Sequence, residues 1–173
     1  HIIGRRADGY HLLQSAFQLI DWCDTIQLKR LPENEIRRVN PIPGVKPEDD
    51  LVVRAAKLLK EAYPTKFGVE IDLTKEIPMG AGLGGGSSDA ASTLIGLNAL
   101  WNLQLDQQSL CDIGLKLGAD VPFFIFGKNA FVEGIGEKLR EISLENHQFL
   151  VLFPNQGITT KSIFLDPELT RDH

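Results

Sequence analysis

The chain has 173 residues, 43% of them hydrophobic and 24% charged, and its 18 basic against 23 acidic side chains leave a net charge of −5. Such apolar content builds a core and excludes disorder, and the length suits one domain, or one with a piece of another. The acidic balance excludes a general nucleic-acid or membrane-surface binder, which needs a basic face, and no apolar run nears the roughly 20 residues of a membrane helix.

In chain order, His1-Ile2-Ile3-Gly4 reads as though it lies in the end of a strand. Residues 13–20 and 24–31 read as two strands joined by a short turn, the second alternating at Ile26 and Leu28. Pro41, Pro43, Gly44 and Pro47 make 40–48 a loop. Asp49 and Asp50 then open a helix that reaches Tyr63, with Leu51, Ala55, Leu58 and Ala62 as its apolar stripe and Pro64 as its stop. Val69, Ile71 and Leu73 alternate with Glu70, Asp72 and Thr74 in a third strand. A glycine loop follows, then a helix from Ser87-Ser88-Asp89 to about Trp101, with the acid of Asp89 suited to the helix dipole. A further helix spans 106–117 and ends at Gly118, and residues 123–153 read as strand-rich with turns at Gly127-Lys128-Asn129 and Gly134-Ile135-Gly136. Strands and helices alternate without a βαβ rhythm, so the predicted fold class is α+β.

Two cysteines, Cys23 and Cys111, are too few for a secreted disulfide scaffold and read as half-buried thiols in a reducing cytosol. His1, His147 and His173 lack metal-ligand spacing, so no zinc site is expected.

The strongest signal is local. Of 16 glycines, five fall within residues 80–86, in Pro78-Met79-Gly80-Ala81-Gly82-Leu83-Gly84-Gly85-Gly86-Ser87-Ser88. Glycines let backbone amides approach a ligand with no side chain between, and a helix following them adds the positive end of its dipole. Both features suit a polyphosphate, whereas a flexible linker explains neither the strand before nor the helix after. Gly80, Gly82 and Gly85 satisfy the dinucleotide pattern G-x-G-x-x-G, with Asp106 placed to mimic the ribose-binding acid, but residues 75–78 separate the loop from its strand. The Walker pattern fails at Gly86, which stands where the phosphate-binding lysine belongs.

Pro-x-Gly-x-Gly-Leu-Gly-x-Gly-Ser-Ser followed by Ala90-Ala91 resembles the phosphate loop of the GHMP small-molecule kinases. Three more segments narrow the likeness to the branch whose acceptor is a cytidine-diphosphate-linked methylerythritol: Gly4-Arg5-Arg6-Ala7-Asp8-Gly9-Tyr10-His11, Gly118-Ala119-Asp120-Val121-Pro122-Phe123-Phe124 and Gly134-Ile135-Gly136-Glu137. The resemblance covers nearly the whole chain. It implies the GHMP two-layer α+β fold, with residues 1–147 as an ATP-binding domain lacking its first strand and 148–173 as the start of a second domain. It also implies ATP and Mg²⁺, and transfer of the γ-phosphoryl group to a hydroxyl.

By the same resemblance, Lys75, Pro78, Met79, Gly80, Ala81, Gly82, Leu83, Gly84, Gly85, Gly86, Ser87 and Ser88 bind ATP, and Ser87 or Ser88 offers a hydroxyl to phosphate or Mg²⁺. The residues alone leave either serine open to capping the helix and Lys75 open to being a solvated strand-end lysine. Asp120 matches a catalytic aspartate that orients or deprotonates the acceptor hydroxyl, where position alone suggests a turn or cap residue. Tyr10 and His11 match a pair that stacks on and hydrogen-bonds cytosine, and Thr160 and Phe164 match positions near the same substrate pocket. A family lysine falls before His1 and a third glycine motif after His173, so the chain is expected to be a piece cut at both ends. On its own it is expected to show little or no turnover in a coupled ADP-release assay. No nucleic acid or membrane partner is expected, the assembly is a monomer or homodimer, and the location is cytoplasmic, or plastid had a transit peptide been lost. The competing readings are another GHMP kinase acting on homoserine or mevalonate, a non-catalytic nucleotide-binding module, and a dinucleotide-dependent oxidoreductase.

Overall fold

Alternation and helical spacing set the local structure of the chain, whose computed structural model describes residues 1–7, 9–145, 147–154, 163, 166, 168 and 169. The elements in order are β1 (Ile2–Arg5), β2 (His11–Phe17), β3 (Thr25–Leu31), β4 (Ile36–Arg38), α1 (Leu51–Ala62), β5 (Gly68–Thr74), α2 (Gly85–Leu100), α3 (Gln107–Leu115), α4 (Val121–Phe126), β6 (Ala130–Gly134) and β7 (Lys138–Glu141). They form an antiparallel sheet of order β1-β2-β6-β7 and a second sheet of order β3-β5-β4, in which β3 runs antiparallel and β4 parallel to β5. The class is α+β.

The alternation read at Val69, Ile71 and Leu73 is that of β5, which buries all three. Helix α1 is capped by Asp50, whose side chain accepts from the Val52 amide at 3.1 Å. Of the expected stripe Ala55 is buried, Leu51 and Leu58 pack against the core half-buried and Ala62 is exposed, while the buried face adds Val52, Val53, Ala56 and Leu59. The helix turns that face toward α2, so its neighbour rather than the most regular spacing selects the stripe. Helix α2 is apolar on most sides because it is central, touching α1, β3, α3 and α4. The main core surrounds it, and a smaller cluster of Phe123, Ala130 and Val132 joins α4 to the β2–β6 sheet.

Several readings are corrected. The segments 13–20 and 24–31 do not pair, since β2 lies in one sheet and β3 in the other, and β2 ends at Phe17. There the chain leaves the sheet, with the Leu19 amide held by the Asn129 side chain at 2.9 Å. Residues 123–126, expected as strand, belong to helix α4 (Val121–Phe126), because Pro122 suits a helix start and Phe123 and Ile125 both find buried partners. Strand β4 is only three residues long and too basic to show a strand pattern. Cys23 is exposed, and Cys111 is half-buried.

Candidate active site

Between β5 and α2 the chain passes residues 75–84, and its backbone is the first component of the site. Gly80, Gly82 and Gly84 have φ of 73°, 74° and 68°, left-handed at every second position. That alternation is the backbone pattern from which concavities of amide hydrogens are built. Gly84 is the N-cap of α2 and gives no side-chain hydrogen bond. Ser88 already donates its amide to the Gly84 carbonyl at 2.9 Å. The amides of Gly85, Gly86 and Ser87 precede the first intrahelical bond, so the positive end of the dipole is left for a ligand. Neither serine caps the helix. Both lie within its first turn.

Gly84 also has no room for a side chain, since a Cβ there would come within 2.8 Å of the Phe124 ring. This contact seats the loop directly on α4, the helix that begins after Asp120. Asp120 occupies the N-cap position of α4, yet its side chain makes no capping hydrogen bond. Solvent reaches the carboxylate, but the protein around it disfavours the charge and raises its pKa above the ordinary value. Buried Gly136 packs behind it, because a Cβ there would meet the Ala119 carbonyl at 2.7 Å. The Gly134-Ile135-Gly136-Glu137 turn thus braces the residue before Asp120, and the Glu137 carboxylate closes that turn by accepting the Ile135 amide at 2.6 Å.

Two cavities flank the loop. One, of about 370 Å³, is lined by Ile42, Val45, Asp49, Asp50, Leu51, Val52, Leu73, Lys75, residues 78–87, Asp89 and Asp120. The other, of about 340 Å³, is lined by Phe17, Gln18, Leu19, Ile20, Trp22, Cys23, Ile77, residues 82–84, Ser88, Asp120, Phe123 and Phe124. Residues 82–84 and Asp120 line both. A group held in the first cavity and a group held in the second therefore meet at the loop, beside one carboxylate.

Every residue expected to bind ATP lines one of these cavities. Tyr10 and His11 line neither. Tyr10 is exposed, and His11 is buried at the start of β2, two residues before the Leu13–Gly134 pair and so at the sheet end that carries the Gly136 turn. Thr160 and Phe164 lie outside the described residues.

A buried charge cluster was not anticipated. The Lys75 ammonium is bound by Asp24 and by Asp89, the latter at 2.8 Å. One Asp24 oxygen also accepts the amides of Glu76 at 2.5 Å and Ile77 at 2.8 Å. Burial opposes the charge on Asp24, but Lys75 and the two amides outweigh it and hold its pKa below the usual value. Burial likewise opposes the charge on Lys75, and its two carboxylate partners still leave its pKa raised. Asp89 is pushed up to about 6, chiefly by burial, with Lys75 pulling against that rise and the neighbouring Asp24 adding to it. The helix dipole alone does not account for Asp89. Its carboxylate is half of the grip on Lys75, and nothing local in the sequence announces Asp24 as the other half.

The profile of the GHMP kinases N-terminal domain matches residues 50–128. Over all 173 residues the chain is 76% identical to the 4-diphosphocytidyl-2-C-methyl-D-erythritol kinase of Polynucleobacter necessarius subsp. necessarius (strain STIR1), and covers 58% of that protein. It is 56% identical over 172 residues, 99% of the chain, to the kinase of the same name from Ralstonia pickettii (strain 12J), covering 60% of it. The crystal structure of a 4-(cytidine 5'-diphospho)-2C-methyl-D-erythritol kinase matches with a TM-score of 0.78 at 35% identity, over 96% of this chain and 60% of that one. A homoserine kinase from Cytophaga hutchinsonii ATCC 33406 matches with a TM-score of 0.66 at 18% identity, over 89% of this chain and 52% of that one, a likeness of fold alone. The chain spans about 60% of the length of the curated relatives it matches.

Proposed function

From these likenesses we infer that the chain is a GHMP kinase and that it carries the nucleotide cradle and catalytic aspartate of a 4-diphosphocytidyl-2-C-methyl-D-erythritol kinase. The observation that carries this reading is the sharing of residues 82–84 and Asp120 between the two cavities. ATP occupies the cavity with the apolar end at Ile42, Val45, Leu51 and Leu73, and its phosphates lie on the amides of the glycine loop. The acceptor alcohol enters through the cavity walled by the β2–β3 connection and α4.

In this reading Asp120 orients the acceptor hydroxyl and takes its proton. The hydroxyl oxygen bonds to the γ-phosphorus while the bond to the β–γ bridging oxygen breaks, releasing ADP. The raised pKa of Asp120 makes it a stronger proton acceptor than a solvated carboxylate. Among the described residues no cluster of three or more His, Cys, Asp and Glu could hold a metal ion. A Mg²⁺ ion would be held by the nucleotide phosphates with the Ser87 or Ser88 hydroxyl, in the first turn of α2, as its protein ligand, and would neutralise charge on the transferring group. Tyr10 and His11, on the braced side of Asp120, grip the cytosine, and Thr160 and Phe164 are assigned to the same substrate by resemblance alone. Residues 1–147 are the ATP-binding domain and 148–173 lead into a second. No described helix is long and apolar enough to cross a membrane. The bacterial relatives support a cytoplasmic enzyme, and the acidic charge supports the lack of a nucleic-acid partner.

The test uses the protein extended to the length of its relatives, with ADP release followed for each candidate alcohol. The cytidine-bearing alcohol should be phosphorylated and cytidine diphosphate should compete with it. Turnover of homoserine or mevalonate without competition by cytidine diphosphate would overturn the assignment.

A further inference from the structure

Resting on the nucleotide-binding reading above, we propose that Asp24 is a positioning residue for the phosphate cradle, fixing the loop entry and the Lys75 ammonium together. Its side chain is only 2% exposed. A carboxylate so deeply withdrawn from water is costly unless every lone pair finds a donor. Here the donors all come from one segment, residues 75–77, which leads into the glycine loop. One oxygen accepts two successive backbone amides, and the other takes the ammonium. Asp24 immediately precedes β3, and the Thr25–Thr74 pair sets it opposite Lys75, 51 residues away in sequence, so its carboxylate carries the β3–β5 pairing on into the loop entry.

An ammonium has three donors. Among the described residues Asp24 and Asp89 are its two hydrogen-bond partners, which leaves a third donor for the nucleotide cavity that Lys75 lines. Its nitrogen lies 3.3 Å from where a Cβ on Gly85 would stand, directly against the first residue of α2. A lysine normally loses much rotamer freedom when it takes up a phosphate. This one is already held at both sides, in register with the loop amides, so little remains to be ordered when a nucleotide binds. Asp24 acts on the nucleotide only through Lys75 and the loop entry, without touching it.

The test measures Mg-ADP affinity calorimetrically, in the protein extended to the length of its relatives, for the unmodified sequence and for Asp24→Asn, Lys75→Met and the double variant. Asp24→Asn keeps an oxygen for the two amides but releases the lysine. It should weaken Mg-ADP by about fivefold, and by less than about twofold when added to Lys75→Met, the coupling expected of residues acting as a unit. Loss of a negative charge by itself would tighten an anion, so weakening reports lost placement. Unchanged or tighter binding in Asp24→Asn overturns the proposal, as does an equal loss in the Lys75→Met background, which would mark Asp24 as merely structural. Should Asp24→Asn fail to fold, the ¹⁵N-labelled ammonium of Lys75 decides in the unmodified extended protein. A slowly exchanging signal that shifts on adding Mg-ADP supports the proposal, and one that exchanges like the exposed lysines overturns it. No Mg-ADP binding by the unmodified extended protein would overturn the nucleotide reading and this inference with it.

Discussion

Gly84→Ala separates two reasons for glycine that the loop combines. A Cβ at Gly84 faces a backbone φ of +68° and two Phe124 ring atoms at 2.8 and 2.9 Å, whereas at Gly82 φ is +74° and nothing lies within 4 Å. The left-handed conformation costs a non-glycine residue about 1–2 kcal/mol, and forcing an atom into an occupied site adds about 1–3 kcal/mol. Gly82→Ala should therefore lose about 1–2 kcal/mol of unfolding free energy and Gly84→Ala about 2–5 kcal/mol. Urea unfolding of both variants checks this. Phe124→Leu, by shortening the obstructing ring, should recover part of the Gly84→Ala loss and none of the Gly82→Ala loss. Phe124 is on the helix that starts after Asp120, so Gly84→Ala should also lower phosphoryl transfer more than nucleotide affinity. Equal destabilisation of the two variants would refute the seating of the loop on α4.

Asp89, with its folded pKa raised to about 6 from 3.8, holds a proton in the folded chain that the unfolded chain has released between those values. Its contribution to stability is therefore largest at low pH and falls as pH rises from about 4 to 6. Relative to Asp89→Asn, the unmodified chain should gain about 1–3 kcal/mol on going from pH 7 to pH 4, read from urea unfolding without nucleotide. A flat difference would sink the buried-carboxylate argument. Asp24, whose pKa is lowered, has the opposite sign, and its contribution is lost only below the ordinary carboxylate range. Asp50→Ala removes both the α1 cap and the carboxylate 3.0 Å from Arg38, whose side chain is 8% exposed and whose buried Nη2 has no hydrogen-bond partner among the described residues. It should lose about 3–5 kcal/mol, and a loss under about 1 kcal/mol, the size of a cap alone, would contradict the buried pair.

The elements that could be read from sequence were those whose pattern is set by one face. The alternation of Val69, Ile71 and Leu73 and the caps and stops of α1 identify β5 and α1 because a sheet face and a helix end are local properties. Sheet membership is not local, so β2 and β3 looked adjacent although each pairs elsewhere. The apolar run at residues 121–126 has no period that separates a short buried helix from a strand, and tertiary partners decide it. At the site, the glycine loop was legible because its chemistry is contiguous. Asp120 was legible only through the likeness of its flanking residues to a family pattern. Asp24 and Asp89 were not, since their shared role with Lys75 exists only once the two strands and α2 converge.

The central claim is that nucleotide and acceptor meet beside Asp120, and Asp120→Asn tests it most directly in the protein extended to the length of its relatives. Phosphoryl transfer should fall by about 10²–10⁴-fold, the range of a lost general base, while nucleotide affinity stays within about twofold because the loop amides are untouched. Unchanged turnover, or loss of nucleotide binding in a folded variant, would contradict it.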